Sequence, residues 1–399
     1  MKTDPLISIV IPAYNYGCYL GACLDSVMAQ TYGNWELIVI DNGSTDETPQ
    51  VLAGYSDPRI RKFKIDQNDG PVKAWAMGYE LCRGDYFALL PADDMFTPHK
   101  LERQVAYLRD HPQVNCLATY IEVVDKEGQP TEHDHGMRAA INHPIDFTDL
   151  SEWRWKHHFC IPTALYQRAL CDAAGAIPLD GLTNICDWDF HVRLLGAGAT
   201  FAVLPEPLTL YRWHQSNTSL KMQNAHHQWI FSHTRSFLPA VRQVAPEAYL
   251  GEIGKCIEQV YLSRQAHHFL EDTPAAVRCA HLEALLDPLT GTADAANFGE
   301  FQQSCEAWQV DSERRAAIAA IDRVVMELRG NLLANGRKLV RQNSTALFPL
   351  ERQFTEMYCV LGRPLGGLLY LVTKVKRELG RVARRVRGRL GLRSPLVGR

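Results

Sequence analysis

Five short strings in this chain of 399 residues bring together side chains suited to bases, phosphates, cations or proton transfer. Pro12-Ala13-Tyr14-Asn15 joins an aromatic face to an amide that both donates and accepts; its plain alternative is a strand-to-helix turn with Asn15 as cap. Asp41-Asn42-Gly43-Ser44 places a carboxylate where it can accept from a base N–H or a ribose hydroxyl, as acids do in dinucleotide folds, or where it forms an Asx-turn before a helix. Pro91-Ala92-Asp93-Asp94 sets two acids side by side after an apolar run. Such a pair repels itself unless a divalent cation sits there, and Mg²⁺ or Mn²⁺ is commonly held by one or two carboxylates plus phosphate oxygens. The alternative is a solvated turn before a helix capped by Thr97, with Pro98 at its first position. In Cys186-Asp187-Trp188-Asp189, a helix would point the two acids to different sides. One acid near a Trp in a cleft can act as a general base, or a surface acid can pair with Arg193. Tyr211-Arg212-Trp213-His214 ends in an imidazole that can join the same metal, contact phosphate, or be structural.

The intervening segments must hold these strings in place. Ile7–Ile11, Glu36–Ile40, Ile60–Ile65 and Asp85–Leu90 are short apolar runs and are expected as strands. Pro12 is expected to end the first. Tyr19, Leu20, Cys23, Leu24, Val27 and Met28 recur at helical spacing, which predicts a helix over 17–30, and another is expected over 71–82. Ser44 followed by Glu47 resembles a capping box. Apolar strands alternating with amphipathic helices imply a parallel sheet covered on both faces, with the post-strand loops gathered along one edge. Beyond residue 112 the pattern changes to a hairpin or meander turning at Gly128. It continues as a Trp/His-rich stretch, a helix ending at Gly196, and two strands, Thr200–Leu204 and Leu208–Trp213. Past about 225 strand signals fade into helical ones, including Pro274–Leu286 and Asp311–Leu333.

Read together and in order, four strings resemble glycosyltransferase family 2. They are ISIVIPAYNYGCYLGACLDSVMAQTYGNWELIVIDNGSTDET, NDGPVKAWAMGYELCRGDYFALLPADD, CDWDFHVRLLGAG and LYRWHQSNTS, covering roughly residues 5–220. The resemblance implies an α/β GT-A fold: a Rossmann-like, mostly parallel nucleotide-binding sheet flanked by helices. It implies that Pro12, Tyr14, Asn15 and Asp41 line a nucleotide pocket and that Gly70 and Lys73 flank the donor. It implies that Asp93 falls on the metal-binding acid of an Asp-x-Asp motif and Asp187 on the catalytic base. Trp188, Asp189 and His158 are expected on the acceptor or donor side, the last within a segment holding Trp153, Trp155 and His157 whose equal alternative is a core cluster. The chain departs from the family pattern at Pro91, Cys186 and Ala76, where the family carries acid, acid and Asn. The first departure leaves Asp93, with Asp94 or His214, to hold the cation, Mn²⁺ or Mg²⁺. The Gln-x-x-Arg-Trp motif of processive synthases is absent, which implies one sugar transferred per encounter.

Composition narrows the setting. Hydrophobic residues make up 46% and charged residues 22%, which excludes wholesale disorder and collagen. Eleven cysteines without a Cys-x-x-Cys pair argue for reduced thiols rather than a zinc or disulfide framework. No run of about 18 apolar residues is present, and the start is not a signal peptide, so a cytoplasmic chain is expected. The net charge of −3 hides an asymmetry: residues 363–399 carry +10 and the rest −13. In that tail Leu368, Val372, Val375, Leu379, Val382, Val386 and Leu390 recur at helical spacing among Lys and Arg. Such a basic amphipathic helix is expected to lie on an anionic membrane, placing the protein peripherally on the cytoplasmic face of the inner membrane. Nucleic acid is disfavoured, because the body is acidic and base-stacking motifs are absent. The expected organisation is a GT-A domain at 1–230, a helical accessory domain at 231–362 and the tail at 363–399, with a homodimer as one candidate assembly. The leading expectation is an inverting transferase acting on a nucleotide sugar, UDP-sugar favoured, with a glycan or lipid-linked acceptor. The alternative is a non-catalytic nucleotide-sugar-binding scaffold. A dinucleotide dehydrogenase would need Gly-x-Gly-x-x-Gly after the first strand, and a nucleotidylyltransferase a Gly-rich basic loop there; neither is present.

Overall fold

The computed structural model describes residues 4–134, 136–154, 159–177, 182, 185–214, 217, 225–249, 251–253, 255–256, 273–286, 298–307, 318–319, 322–323 and 326. The chain divides into two compact units, residues 1–225 and 226–399.

The first unit holds eight strands: β1 (Ile7–Ala13), β2 (Trp35–Asn42), β3 (Ile60–Ile65), β4 (Tyr86–Leu89), β5 (Met95–Phe96), β6 (Cys116–Val124), β7 (Leu165–Gln167) and β8 (Phe201–Arg212). They form one sheet in the order β3-β2-β1-β4-β7-β6-β8-β5. The β1–β2, β2–β3, β1–β4 and β6–β8 pairs are parallel, while β7 runs antiparallel to β4 and β6, and β5 to β8. β2 and β4 are buried along their whole length, as strands covered on both faces must be, whereas β3 at the sheet edge alternates buried and open positions. The helices are α1 (Gly17–Met28), α2 (Thr48–Ala53), α3 (Pro71–Glu80), α4 (Lys100–Asp110), α5 (Met137–Ile141), α6 (Leu150–Trp153), α7 (Arg168–Ala173) and α8 (Cys186–Gly196). α1 buries Leu20, Cys23, Leu24 and Val27 in one cluster with Ile9, Ile11, Leu37 and Val39. Full burial of a Leu or Ile contributes about 1.5–3 kcal/mol. α3 lies so close to β1 that a Cβ on Gly78 would fall 2.3 Å from Val10 Cγ1.

Two sequence expectations change here. β1 does not stop at Pro12 but runs on to Ala13, with Pro12 beside Ile40. The carbonyl of Val10 accepts from Leu90 N–H on the β4 side, and Pro12 addresses that same side beyond the last β4 partner, so its missing N–H interrupts no ladder. The two strands expected between 200 and 213 are one strand, β8. Its register against β6 jumps from Thr119–Leu204 to Tyr120–Pro207, because Pro205 and Pro207 cannot supply regular ladder donors.

In the second unit, α9 (Ala225–Ser232) passes through a π-helical turn, His233–Phe237, into α10 (Leu238–Val244). α11 (Ala275–Leu286) and α12 (Phe298–Glu306) follow. Phe231 meets Phe298 and Phe301 with ring centroids 5.8 and 5.3 Å apart, and Arg278 grips Asp322 through two nitrogens at 3.0 and 2.9 Å. No strand occurs among the described residues of this unit, and no described helix is long and apolar enough to cross a membrane. Most of the expected 311–333 helix and all of the basic tail lie outside the described residues.

Candidate active site

Parallel strands deliver three loops to one edge of the sheet, and side chains stitch them together. Asn15 takes the left-handed conformation at φ +54, which Asn tolerates better than most residues. Its N–H donates to Ser44 Oγ at 3.0 Å, and its Oδ1 accepts from Thr45 N–H at 2.8 Å. Asp41 is buried and accepts from Ser44 N–H at 2.9 Å, so the Asx-turn forms. The capping box does not. Asp46 instead accepts from Thr48 N–H at 3.0 Å and Gly17 N–H at 2.9 Å, moving the start of α2 to Thr48. Although burial alone would raise the Asp46 carboxyl, these donors hold it below the usual range. Gly17 is fixed by crowding, since a Cβ there would meet Thr48 N at 2.7 Å. Asn42, to which the sequence reading gave no separate role, donates to Asn68 Oδ1 at 2.9 Å and Gly70 O at 3.0 Å, tying the β2 loop to the entrance of α3. Gly70 sits at φ +90, and Lys73 pairs with Asp69 one turn away. Tyr14 is exposed beside these loops, and Pro12 is partly so.

The acid loop follows β4. It is no solvated turn: Asp93 and Asp94 are 8% and 2% exposed. Thr97 does not cap a helix either, because its N–H and hydroxyl both donate to Leu208 O, and α4 begins at Lys100. The antiparallel β5–β8 contact brings the end of β8 onto the acids. His214 Nε2 lies 3.0 Å from Asp93 Oδ2. The N–H of Arg212 donates to Asp94 Oδ1 at 2.8 Å. Burial, then the charge of Asp93, pushes the Asp94 carboxyl well up. Asp94 therefore anchors the end of β8 through this hydrogen bond, while its neighbour Asp93 faces His214. Among the described residues no three His, Cys, Asp or Glu side chains converge as a metal-sized cluster; Asp93 and His214 converge as a pair.

α8 supplies the third part. Asp187 stands partly exposed in its first turn, where Oδ1 accepts from Trp188 N–H at 2.9 Å. Trp188 is 1% exposed and donates from Nε1 to Trp153 O at 2.9 Å, so its ring packs in the core. Asp189, not Asp187, pairs with Arg193, at 2.9 Å, and the pair is interior rather than surface, with Arg193 also donating to Ala174 O and Ala176 O. Trp188 and Asp189, both expected beside the acceptor or donor, are buried in this structure. Trp153 is likewise core, 4.8 Å from the Phe201 ring. His158, Trp155 and His157 lie outside the described residues. Cys160 links the acid loop to α8: burial, then Asp94, then Asp187 raise its thiol. A separate cavity of about 460 Å³, lined by Gly84, Asp85, Arg168 and Asp172 among others, involves none of these residues.

A family model described as Glycosyl transferase family 2 matches residues 8–173. An uncharacterized glycosyltransferase of Haemophilus influenzae is 36% identical over 225 residues, covering 55% of this chain and 69% of that protein. Chondroitin synthase of Escherichia coli is 31% identical over 224 residues, covering 55% of this chain and 31% of the synthase. The chain spans 63% and 52% of the length of two other curated relatives. Among solved structures, S. aureus TarS 1-349 in complex with UDP-GlcNAc superposes with a TM-score of 0.57 at 15% identity, covering 82% of this chain and 88% of that one, a likeness of fold.

Proposed function

Because the chain belongs to glycosyltransferase family 2, we propose that it is an enzyme moving one sugar from a nucleoside diphosphate sugar to an acceptor hydroxyl with inversion at the anomeric carbon. The observation that carries the reading is the meeting of Asp93 and His214 at 3.0 Å beside the nucleotide loops. Tyr14 offers its exposed ring to the base, and Asp41 its carboxylate to a base N–H or ribose hydroxyl. Pro12 and Asn15 shape the floor, and Gly70 and Lys73 stand beside the diphosphate at the entrance of α3. UDP-sugars are the first donors to try, in keeping with the UDP-GlcNAc bound to TarS.

The donor set fits a divalent cation. One carboxylate and one imidazole suit Mn²⁺ or Mg²⁺ when phosphate oxygens and water complete the shell. Asp93 and His214 would hold the ion, which when bound offsets charge growing on the leaving diphosphate. Asp187 takes the proton of the acceptor hydroxyl as that oxygen attacks the anomeric carbon. The bond to the diphosphate breaks on the opposite face and its electron pair leaves with the phosphate. The absence of Gln-x-x-Arg-Trp supports one transfer per encounter. The basic segment 363–399 supports a peripheral place on an anionic membrane, at the cytoplasmic face, near a lipid-linked or surface-glycan acceptor.

The test incubates the full chain with a panel of nucleotide sugars and Mn²⁺ and measures nucleoside diphosphate release. Release from one donor, lost on adding EDTA, is expected. No release from any donor would favour a binding scaffold over an enzyme.

A further inference from the structure

We infer that Tyr19 and Arg212 are positioning residues that pre-set the Asp93–His214 pair for a cation-bound diphosphate. The inference rests on the reading that this pair meets the diphosphate, and adds two residues to which that reading gave no part.

The four residues form a closed circuit through side chains and the Asp93 carbonyl. Arg212 Nε donates to the Asp93 carbonyl at 2.8 Å, and Asp93 Oδ2 lies 3.0 Å from His214 Nε2. The His214 ring stacks on Tyr19 with centroids 5.1 Å apart at 29°, and the Arg212 guanidinium carbon lies 4.8 Å from the centre of the same Tyr19 ring. Arg212 is 2% exposed, and its Nη1 donates to Asp125 O at 3.2 Å and Lys126 O at 2.8 Å. Three carbonyls therefore fix the guanidinium, which attracts and fixes the Tyr19 ring through its π face. Tyr16 closes the edge of the imidazole at 5.8 Å and 69°. The His214 main chain is held as well: its N–H donates to Asn217 Oδ1 at 2.6 Å, and Asn217 Nδ2 donates to Arg212 O at 3.0 Å. An imidazole confined in this way keeps Nε2 aimed at Asp93. Such outer contacts decide how well a first ligand binds a cation, typically by about 10–100-fold.

The test titrates wild type, Tyr19→Leu and Tyr19→Phe with UDP, and with GDP in parallel, in the presence of Mn²⁺ or of EDTA, by calorimetry. Melting temperatures are recorded alongside. Tyr19→Leu is expected to weaken Mn²⁺-dependent nucleotide binding by about 10–100-fold and to leave binding in EDTA unchanged. Tyr19→Phe, which keeps the ring, is expected to restore the loss. Undiminished Mn²⁺-dependent binding in Tyr19→Leu overturns the positioning role. So does an equal loss in EDTA, which would make the ring a nucleotide contact, and so does an equal loss in Tyr19→Phe, which would make the hydroxyl the contact. If Tyr19→Leu does not fold, Arg212→Lys carries the test, because a single ammonium lacks the planar fork that reaches the Asp93, Asp125 and Lys126 carbonyls from Nε and Nη1 and lies against the Tyr19 ring, and the same Mn²⁺-specific loss is expected. Nucleotide binding that Mn²⁺ does not strengthen even in wild type overturns the cation reading together with this one, a result visible without any variant.

Discussion

Asp93 and Asp94 are adjacent in sequence and opposite in circumstance. Asp93 turns a carboxylate oxygen to His214, while Asp94 turns inward to accept the Arg212 N–H. Asparagine keeps that acceptor, so Asp94→Asn should melt close to wild type. Asp94→Ala should lose about 1–3 kcal/mol, the cost of a buried donor left unmet. Thermal denaturation of the two variants decides it, and equal losses would contradict the anchoring role. Sequence made Asp93, Asp187 and His214 legible as candidates, because strand ends and spacing mark them. It could not assign Asp94, Trp188 or Asp189, since adjacency along the chain does not say which way a side chain turns. Arg212 was within reach of reasoning: it ends β8 two residues before His214, and a chain that stayed extended would put both on one face. Tyr19 was not, for its apolar helical spacing reads as core.

At the scale of elements, α4 carries a residue that sequence periodicity does not explain. Lys100 is fully buried and donates to Thr163 O at 2.7 Å. Burial pushes its ammonium well below the usual lysine range. The native lysine thus sheds a proton that the unfolded chain keeps up to about pH 10.4, so stability rises with pH across the window between the two values. Lys100→Met should raise the melting temperature at neutral pH, with an advantage that narrows toward pH 10. A variant that melts below wild type at neutral pH would contradict this. Gln104 Nε2 also donates to Thr163 O, at 3.0 Å, so the 3₁₀ turn Ile161–Thr163 keeps a tie without the lysine. Element positions were largely readable for β1 to β4, α1 and α3, where period and composition agree. They were less so for β8 and the start of α4. There the paired prolines and a tertiary tie from Thr97 to Leu208 overrode local signals.

At the scale of the molecule, the parallel sheet and post-strand loops follow from alternating strands and helices, and the likeness to TarS shows the same fold. That is the GT-A architecture the resemblance implied, followed by a helical region. Charge divides the molecule differently: −13 on residues 1–362 and +10 on 363–399. Each basic residue near an anionic surface adds about 1 kcal/mol. The full chain should therefore co-sediment with phosphatidylserine-containing liposomes, and a 1–362 truncation should not; equal sedimentation would remove the membrane role. The nucleotide base, the sugar and the acceptor depend on pocket shape, which no spacing of residues encodes.

The proposed transfer turns on Asp187 as its general base. The most direct measurement compares Asp187→Asn with wild type for turnover of one nucleotide sugar, with donor affinity measured in parallel. The account predicts turnover lowered by about 10²–10⁴-fold with donor affinity unchanged. Turnover near that of wild type would contradict it.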